Sequence, residues 1–227
     1  MNSSNKLLLS GLVVVGAAAL VGAGTFASFN AQTRNPNNTF ADGTLVLSNT
    51  KAGGSACLST GAGTNTDTNV NNACDTLFGL TVKKPGDSGT ANLTIKNDGT
   101  LDASTLKVFS AACANANATG ETYNGSGLPC SKVQIYIQQW SDSGFTIPSQ
   151  CVYGGATVPG MCDFSDAAKT LGAFTTAYNS SSNGQTIGAL NAHASNYFTI
   201  GLKLPSDADN SYQGRQASFD LTWYAAQ

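Results

Sequence analysis

Apolar residues recur at every second position in several stretches of this chain, a period that fits a β-strand and excludes an amphipathic helix. Val133, Ile135 and Ile137 alternate with Gln134, Tyr136 and Gln138. Phe198, Ile200, Leu202 and Leu204 alternate with Thr199, Gly201 and Lys203, and Phe219, Leu221 and Trp223 with Asp220, Thr222 and Tyr224. Leu45 with Leu47, Leu93 with Ile95 and Leu106 with Val108 are shorter examples. Each pattern predicts a strand with one buried and one wet face. Turn formers separate them: Lys84-Pro85-Gly86-Asp87, Asn97-Asp98-Gly99 and Pro205-Ser206-Asp207. The expected fold is therefore all-β, a jelly-roll-like antiparallel β-sandwich with long disulfide-pinned loops and little helix. One helix is expected, in Phe164–Phe174, with Ser165 or Asp166 as its cap and Ala167, Ala168 and Leu171 on one side.

The loops carry the cysteines. There are 6, and they fall into three close pairs: Cys57 with Cys74, Cys113 with Cys130, and Cys151 with Cys162. Six cysteines admit fifteen connectivities. The spacing favours sequential pairing, because each interval is rich in Gly, Asn, Ala, Ser or Pro, as a loop would be. Closing loops of this size contributes roughly 2–4 kcal/mol each in the chain-entropy model. Zinc is the rival reading of the cysteines, but no Cys-x-x-Cys pair occurs and the lone histidine is distant in sequence. The low-complexity stretches Gly53–Ala73 and Ala111–Cys130 are expected to be loops pinned in this way.

An oxidising compartment agrees with the leader. Lys6 precedes a dense apolar run, Leu7–Val21, of the length of a signal-peptide core and short for a membrane span. Thr25-Phe26-Ala27 places small residues at both recognition positions, so cleavage is expected between Ala27 and Ser28. An uncleaved N-terminal anchor is the competing reading, since Leu7–Thr33 is uncharged throughout. The chain divides into a signal peptide (1–27), a polar N-terminal arm (28–39) and a sandwich domain (40–227). Charged residues make up only 11% of the chain, less than half the usual share. No basic patch is available for phosphates, which argues against nucleic acid as a partner. Little long-range repulsion separates copies of such a surface, so self-association is not opposed.

Several motifs together resemble one known family. Gly24-Thr25-Phe26-Ala27-Ser28-Phe29 is followed by Asn38-Thr39-Phe40-Ala41-Asp42-Gly43-Thr44-Leu45. Pro85-Gly86-Asp87 precedes the Leu93–Ile95 strand, with Asn97-Asp98-Gly99-Thr100-Leu101 after it. The tail runs from Asn210-Ser211-Tyr212-Gln213-Gly214-Arg215 to Phe219-Asp220-Leu221-Thr222-Trp223-Tyr224-Ala225-Ala226-Gln227. In this order they resemble the TasA/camelysin family, whose leaders are handled by a SipW-type signal peptidase. The resemblance covers the two ends and the first third. Residues 100–195 show no match, and the cysteines depart from the largely cysteine-free family members.

The resemblance implies a jelly-roll subunit of extracellular, biofilm-matrix fibres, in which an N-terminal segment of one subunit inserts as a strand into the sheet of the next. The expected partners are other copies of the chain, an accessory fibre or anchoring protein, and the signal peptidase during export. The physical reading is compatible: a sheet edge offers unpaired N–H and C=O groups, and an extended arm satisfies them. In the arm, Phe29, Ala31 and Thr33 fall on one face, with Phe29 as anchor. Burying one Phe is worth roughly 1.5–3 kcal/mol, so the backbone ladder and subunit contacts would have to supply the rest. The same arm read without the resemblance is an ordinary first strand of its own domain.

A catalytic site is not expected. His193 is the sole histidine and Glu121 the sole glutamate, and no His-Glu-x-x-His occurs, so the protease that the camelysin name raises lacks its ligands. No Gly-x-Ser-x-Gly elbow accompanies a serine nucleophile. Asp207, Asp209 and Asn210 could offer oxygens to calcium, but a solvated turn is the simpler reading. No cofactor is expected. The alternative to a fibre subunit is a monomeric cell-surface adhesin that binds through its disulfide-pinned loops.

Overall fold

The computed structural model describes residues 42–61, 71–79 and 84–227. The predicted signal peptide with its Ala27/Ser28 junction, and the arm with Phe29, Ala31 and Thr33, lie outside the described residues.

The alternating stretches form strands. In chain order these are β1 (Leu47–Lys51), β2 (Cys57–Leu58), β3 (Ser88–Asn97), β4 (Ala103–Phe109), β5 (Cys113–Asn117), β6 (Gln134–Trp140) and β7 (Pro148–Tyr153). They continue with β8 (Gly155–Val158), β9 (Met161–Asp163), β10 (Gln185–Leu190), β11 (Ser195–Lys203), β12 (Arg215–Phe219) and β13 (Thr222–Ala226). Two short helices, α1 (Pro129–Lys132) and α2 (Leu171–Ala177), interrupt them. A six-stranded sheet, β2-β1-β3-β11-β6-β7, packs on a three-stranded sheet, β10-β4-β13, while β12 pairs with β5 and β8 with β9. All these ladders are antiparallel. The molecule is an all-β sandwich, and the chain passes between the two sheets from β3 to β4 and from β10 to β11.

Register explains the core. Opposite β11, Phe198 meets Leu93 of β3 while Ile200 meets Ala91 of β3 and Ile137 of β6, so the apolar set of three strands shares one face. Leu93, Ile95, Ile137, Phe198 and Ile200 are completely buried there, as are Leu106 and Val108 from the smaller sheet. Helix α2 adds Leu171 and Phe174, and Phe174 lies edge-on to Tyr153 with ring centroids 4.9 Å apart. Toward the β1 edge this face turns polar, since Asn49 stands opposite Ile95 and Lys51 opposite Leu93. The Lys51 ammonium donates to the carbonyl of Thr76 at 2.7 Å.

The other face of the large sheet is not wet where alternation predicts it. Gln134, Gln138 and Thr199 are buried. The chain folds back after β7 as the β8–β9 hairpin, tied down by Cys151–Cys162, and lies against this face. Gln138 is its attachment. Its amide nitrogen lies within hydrogen-bonding distance of the Gln139, Gln150 and Gly160 carbonyls, and its carbonyl accepts from the Cys162 N–H. Beside it the Trp140 indole donates to Thr199, whose hydroxyl donates to Asn92. Tyr136 lies across Gly201, the residue opposite it on β11, where a Cβ would collide with the ring.

Phe164 belongs to this cover rather than to a helix. Its ring sits 4.8 Å from Tyr136, with the Lys203 ammonium 5.7 Å above it. The expected helix begins only at Leu171, with Thr170 as cap accepting from Ala173 N–H at 3.2 Å. Before it the chain turns at Ala167–Ala168, and Thr170 then bridges Gln134, with the Lys169 carbonyl accepting from Ile135 N–H and Leu171 N–H donating to the Val133 carbonyl. Asp166, expected as a cap, instead closes a turn on Ala168 N–H.

Replacing Phe174 by Ala is expected to lower the unfolding free energy by about 3–5 kcal/mol in chemical denaturation. A pH effect follows from four exposed carboxylates. Asp142, Asp163, Asp207 and Asp209 are held below the usual range, chiefly by hydrogen bonds from the Ile147 backbone, Ser165, Lys132 and Ser211 respectively. A depressed folded-state value means that the unfolded chain takes up protons first. The melting temperature should therefore hold above the ordinary carboxylate range and fall as the pH drops below about 4.

Candidate functional site

A sheet of this kind meets other molecules at its edges, where backbone groups lack a neighbouring strand. Among the described residues the edges at β2, β7, β10 and β5 are blunted. Strand β2 is two residues long, and the Cys57–Cys74 disulfide and the Asn71 side chain, which donates to the Leu58 carbonyl, tie it down. Strand β7 begins with Pro148 and is bulged against β6. Its Gln150 amide donates to the carbonyl of Ile187 in β10 at 3.2 Å, so the same contact closes the β10 edge. Strand β10 is further broken by register shifts on both sides of Gly188, whose φ of 149° suits glycine alone. Strand β5 has its Asn115 side chain turned to the Cys130 N–H, beside the Cys113–Cys130 disulfide.

The edge at β13 is different. Strands β12 and β13 run consecutively along β5 and β4, so the two ladders form one ribbon. Three residues, Ser110–Ala112, separate β4 from β5, whereas only Asp220 and Leu221 separate β13 from β12. The extra residue bends the ribbon at buried Ser110, whose N–H is taken by the Tyr178 carbonyl at 2.9 Å. The alternation of Phe219, Leu221 and Trp223 continues across the bend, so sequence periodicity reads as one strand where the structure has two. Strand β13, Thr222–Ala226, is about 17 Å long at ordinary strand rise. Among the described residues no strand pairs with the open side of β13.

The side chains of this stretch are divided by face. Phe219, Leu221, Trp223 and Ala225 pack against the core, and the Trp223 ring lies 4.5 Å from Phe198. Thr222 and Tyr224 face solvent. Among the described residues, two buried side-chain polar atoms lack a hydrogen-bond partner: the Gln216 carbonyl oxygen and the Trp223 indole nitrogen. Both lie on the strands of the open edge.

The structure pairs the cysteines sequentially, Cys57–Cys74, Cys113–Cys130 and Cys151–Cys162. These disulfides place the domain in an oxidising environment. No helix among the described residues is long and apolar enough to cross a membrane. The low-complexity stretch Ala111–Cys130 is only partly loop, because small residues Cys113–Asn117 pair with β12.

The residues examined for chemistry are dispersed. His193 is exposed in a turn with φ of 61°. Asp207 pairs with the Lys132 ammonium at 2.9 Å, and Asp209 caps the 3-10 turn Asn210–Tyr212, so the two carboxylates serve different neighbours. Among the described residues no three His, Cys, Asp or Glu side chains gather to hold a metal. No protein-family model matches the chain, and no curated protein matches it either.

The unpartnered Gln216 carbonyl gives a direct test of the edge. In the isolated domain, Gln216→Met keeps the side-chain length and removes a buried acceptor that has lost water without gaining a donor. Its unfolding free energy should rise by about 1 kcal/mol, measured by chemical denaturation.

Proposed function

We propose that this protein is a secreted structural subunit that polymerises into extracellular filaments by donating its N-terminal strand to the next subunit. The observation that supports the reading best is the free side of β13, beside which no strand lies among the described residues, while β2, β7, β10 and β5 are tied down or covered. Natural sheets cover or shorten edges that must not pair, and an edge left free offers its backbone groups to another chain. The arm, residues 28–39, has the length of a strand and a polar composition unsuited to folding alone. The sparse charge of the surface lets copies approach without strong repulsion.

The resemblance of both chain ends to TasA/camelysin proteins points the same way. Under this reading the protein carries no catalytic site and needs no cofactor. Its principal partner is itself, with an accessory or anchoring protein at the filament base. Its place is the extracellular matrix or the cell surface.

A monomeric adhesin is the second reading, and one observation favours it. The hairpin stapled by Cys151–Cys162 presents exposed Val158 and Met161 at its tip. Such a rigid apolar tip suits contact with another surface.

Deleting Ser28–Asn38 separates the two. The fibre reading expects a secreted, folded monomer that forms no filaments by negative-stain electron microscopy while the full-length mature protein does. Identical filaments from the truncated chain would refute strand donation. Monomers from both proteins, across concentration and pH, would favour the adhesin.

A further inference from the structure

We propose that the outer face of the six-stranded sheet binds neutral glycans, with Trp140, Tyr197 and Phe145 as the stacking surface and Asn92 as the directing polar group. The site lies in a different sheet from β13. It goes beyond both readings of function given above and depends on neither.

The hairpin β8–β9 lies over Tyr136 and Gln138 on this face. The next row along is Thr94, Tyr197 and Trp140, which register sets side by side on β3, β11 and β6. All three are partly exposed. At ordinary strand spacing the row is about 10 Å across.

Hydrogen bonds fix the row. The Trp140 indole donates to the Thr199 hydroxyl at 2.7 Å, and Thr199 donates to the Asn92 side-chain oxygen at 2.6 Å. Trp140 stands opposite Tyr197, so reaching Thr199 makes its indole lean across β11. The relay also has a direction. An indole N–H can only donate, so the Thr199 oxygen accepts and its proton goes to Asn92. The Asn92 oxygen is thereby occupied, and its NH2 group is left to bond elsewhere.

Phe145 is an independent observation. Its φ is 56°, an outlying conformation for so bulky a side chain. The Asp142 carboxylate, accepting from the N–H groups of Gly144, Thr146 and Ile147, holds the turn that imposes it. The result is a ring set edge-on to Tyr197, with centroids 6.0 Å apart. Backbone strain of this kind collects at binding sites, where side-chain placement outweighs its cost.

The chemistry of the row selects the ligand. Aromatic rings pack on C–H surface, while amide and hydroxyl groups exchange hydrogen bonds with hydroxyls, and a sugar ring offers both. None of the three residues in the row is charged. At its border Lys96 pairs with Asp98, and Asp142 is engaged in its turn. A neutral glycan matches this arrangement better than a polyanion or a polycation.

The test is isothermal titration calorimetry of the mature chain with cellohexaose, laminarihexaose and xylohexaose, with hexagalacturonic acid as the charged counterpart. The proposal expects saturable binding of at least one neutral hexasaccharide, tighter than that of the acid. Tyr197→Ala should weaken it about tenfold or more, the effect of truncating a central aromatic contact. Phe145→Gly separates binding from folding, because glycine adopts positive φ without strain. Its melting temperature should hold while binding falls about three- to tenfold. Asn92→Asp keeps the acceptor for Thr199 and removes the donor, so it too should weaken binding; these two variants decide the matter if Tyr197→Ala does not fold. Absence of binding by all three neutral sugars overturns the proposal. Neutral sugars bound equally by the parent and the folded variants place the site elsewhere and overturn it. Tighter binding of hexagalacturonic acid overturns the assignment of a neutral ligand.

Discussion

Backbone N–H and C=O groups in a sheet need partners or water, and this requirement shapes the molecule more than any side-chain contact. Strand β11 satisfies it most fully: it bonds to β3 over its whole length and to β6 over most of it. The core grows from this arrangement, because the antiparallel register puts Phe198 beside Leu93 and Ile200 beside both Ala91 and Ile137. Away from β11 the requirement is met by more local means. Gln150 reaches across to β10, Asn71 reaches back to β2, and Asn115 turns to the chain of α1. Amide side chains thus do at the edges what paired strands do at the centre. Among the described residues no strand lies on the open side of β13.

That division also accounts for the unusual composition. A surface with so few charges has little electrostatic means of holding loops in place, and exposed ion pairs would contribute little in any case. Two ion pairs, Lys96–Asp98 and Lys132–Asp207, occur among the described residues. Disulfides and side chain–backbone hydrogen bonds take over. The carboxylate of Asp142 accepts from the N–H groups of Gly144, Thr146 and Ile147, fixing the β6–β7 turn. Asp163 does the same for Thr157 and Ser165 at the base of the β8–β9 hairpin. Asp side chains serve here as turn clamps, so hydrogen bonds do at these turns what ion pairs do on more charged surfaces.

Periodicity made the framework legible. Val133–Gln138, Phe198–Leu204 and the Leu93–Ile95 pair become the central strands, and sequential disulfide pairing follows the spacing of the cysteines. Periodicity failed wherever an element outside the strand decided its environment. Nothing in Gln134-x-x-x-Gln138 announces burial; it results from a hairpin that the Cys151–Cys162 disulfide folds back over the sheet. Phe164 looks helical beside Ala167 and Ala168, yet Phe164 packs on Tyr136 and the bridge of Thr170 to Gln134 keeps the helix from starting before Leu171. The bend between β12 and β13 is invisible for the opposite reason. Phe219, Leu221 and Trp223 keep their alternation through it, since the extra residue lies on the facing chain, at Ser110–Ala112. The open edge could not be found from sequence, because an edge is defined by the absence of a neighbour.

The polarity of that edge decides what an assembly built on it can be. If two β13 strands paired with each other, the contact would be the same on both subunits, and a two-fold dimer would end the process. A donated arm makes donor and acceptor different surfaces of one molecule, so each subunit that accepts still has an arm to give. A contact of that kind does not close on itself, so filament growth under the proposed strand donation needs no further device to keep it open.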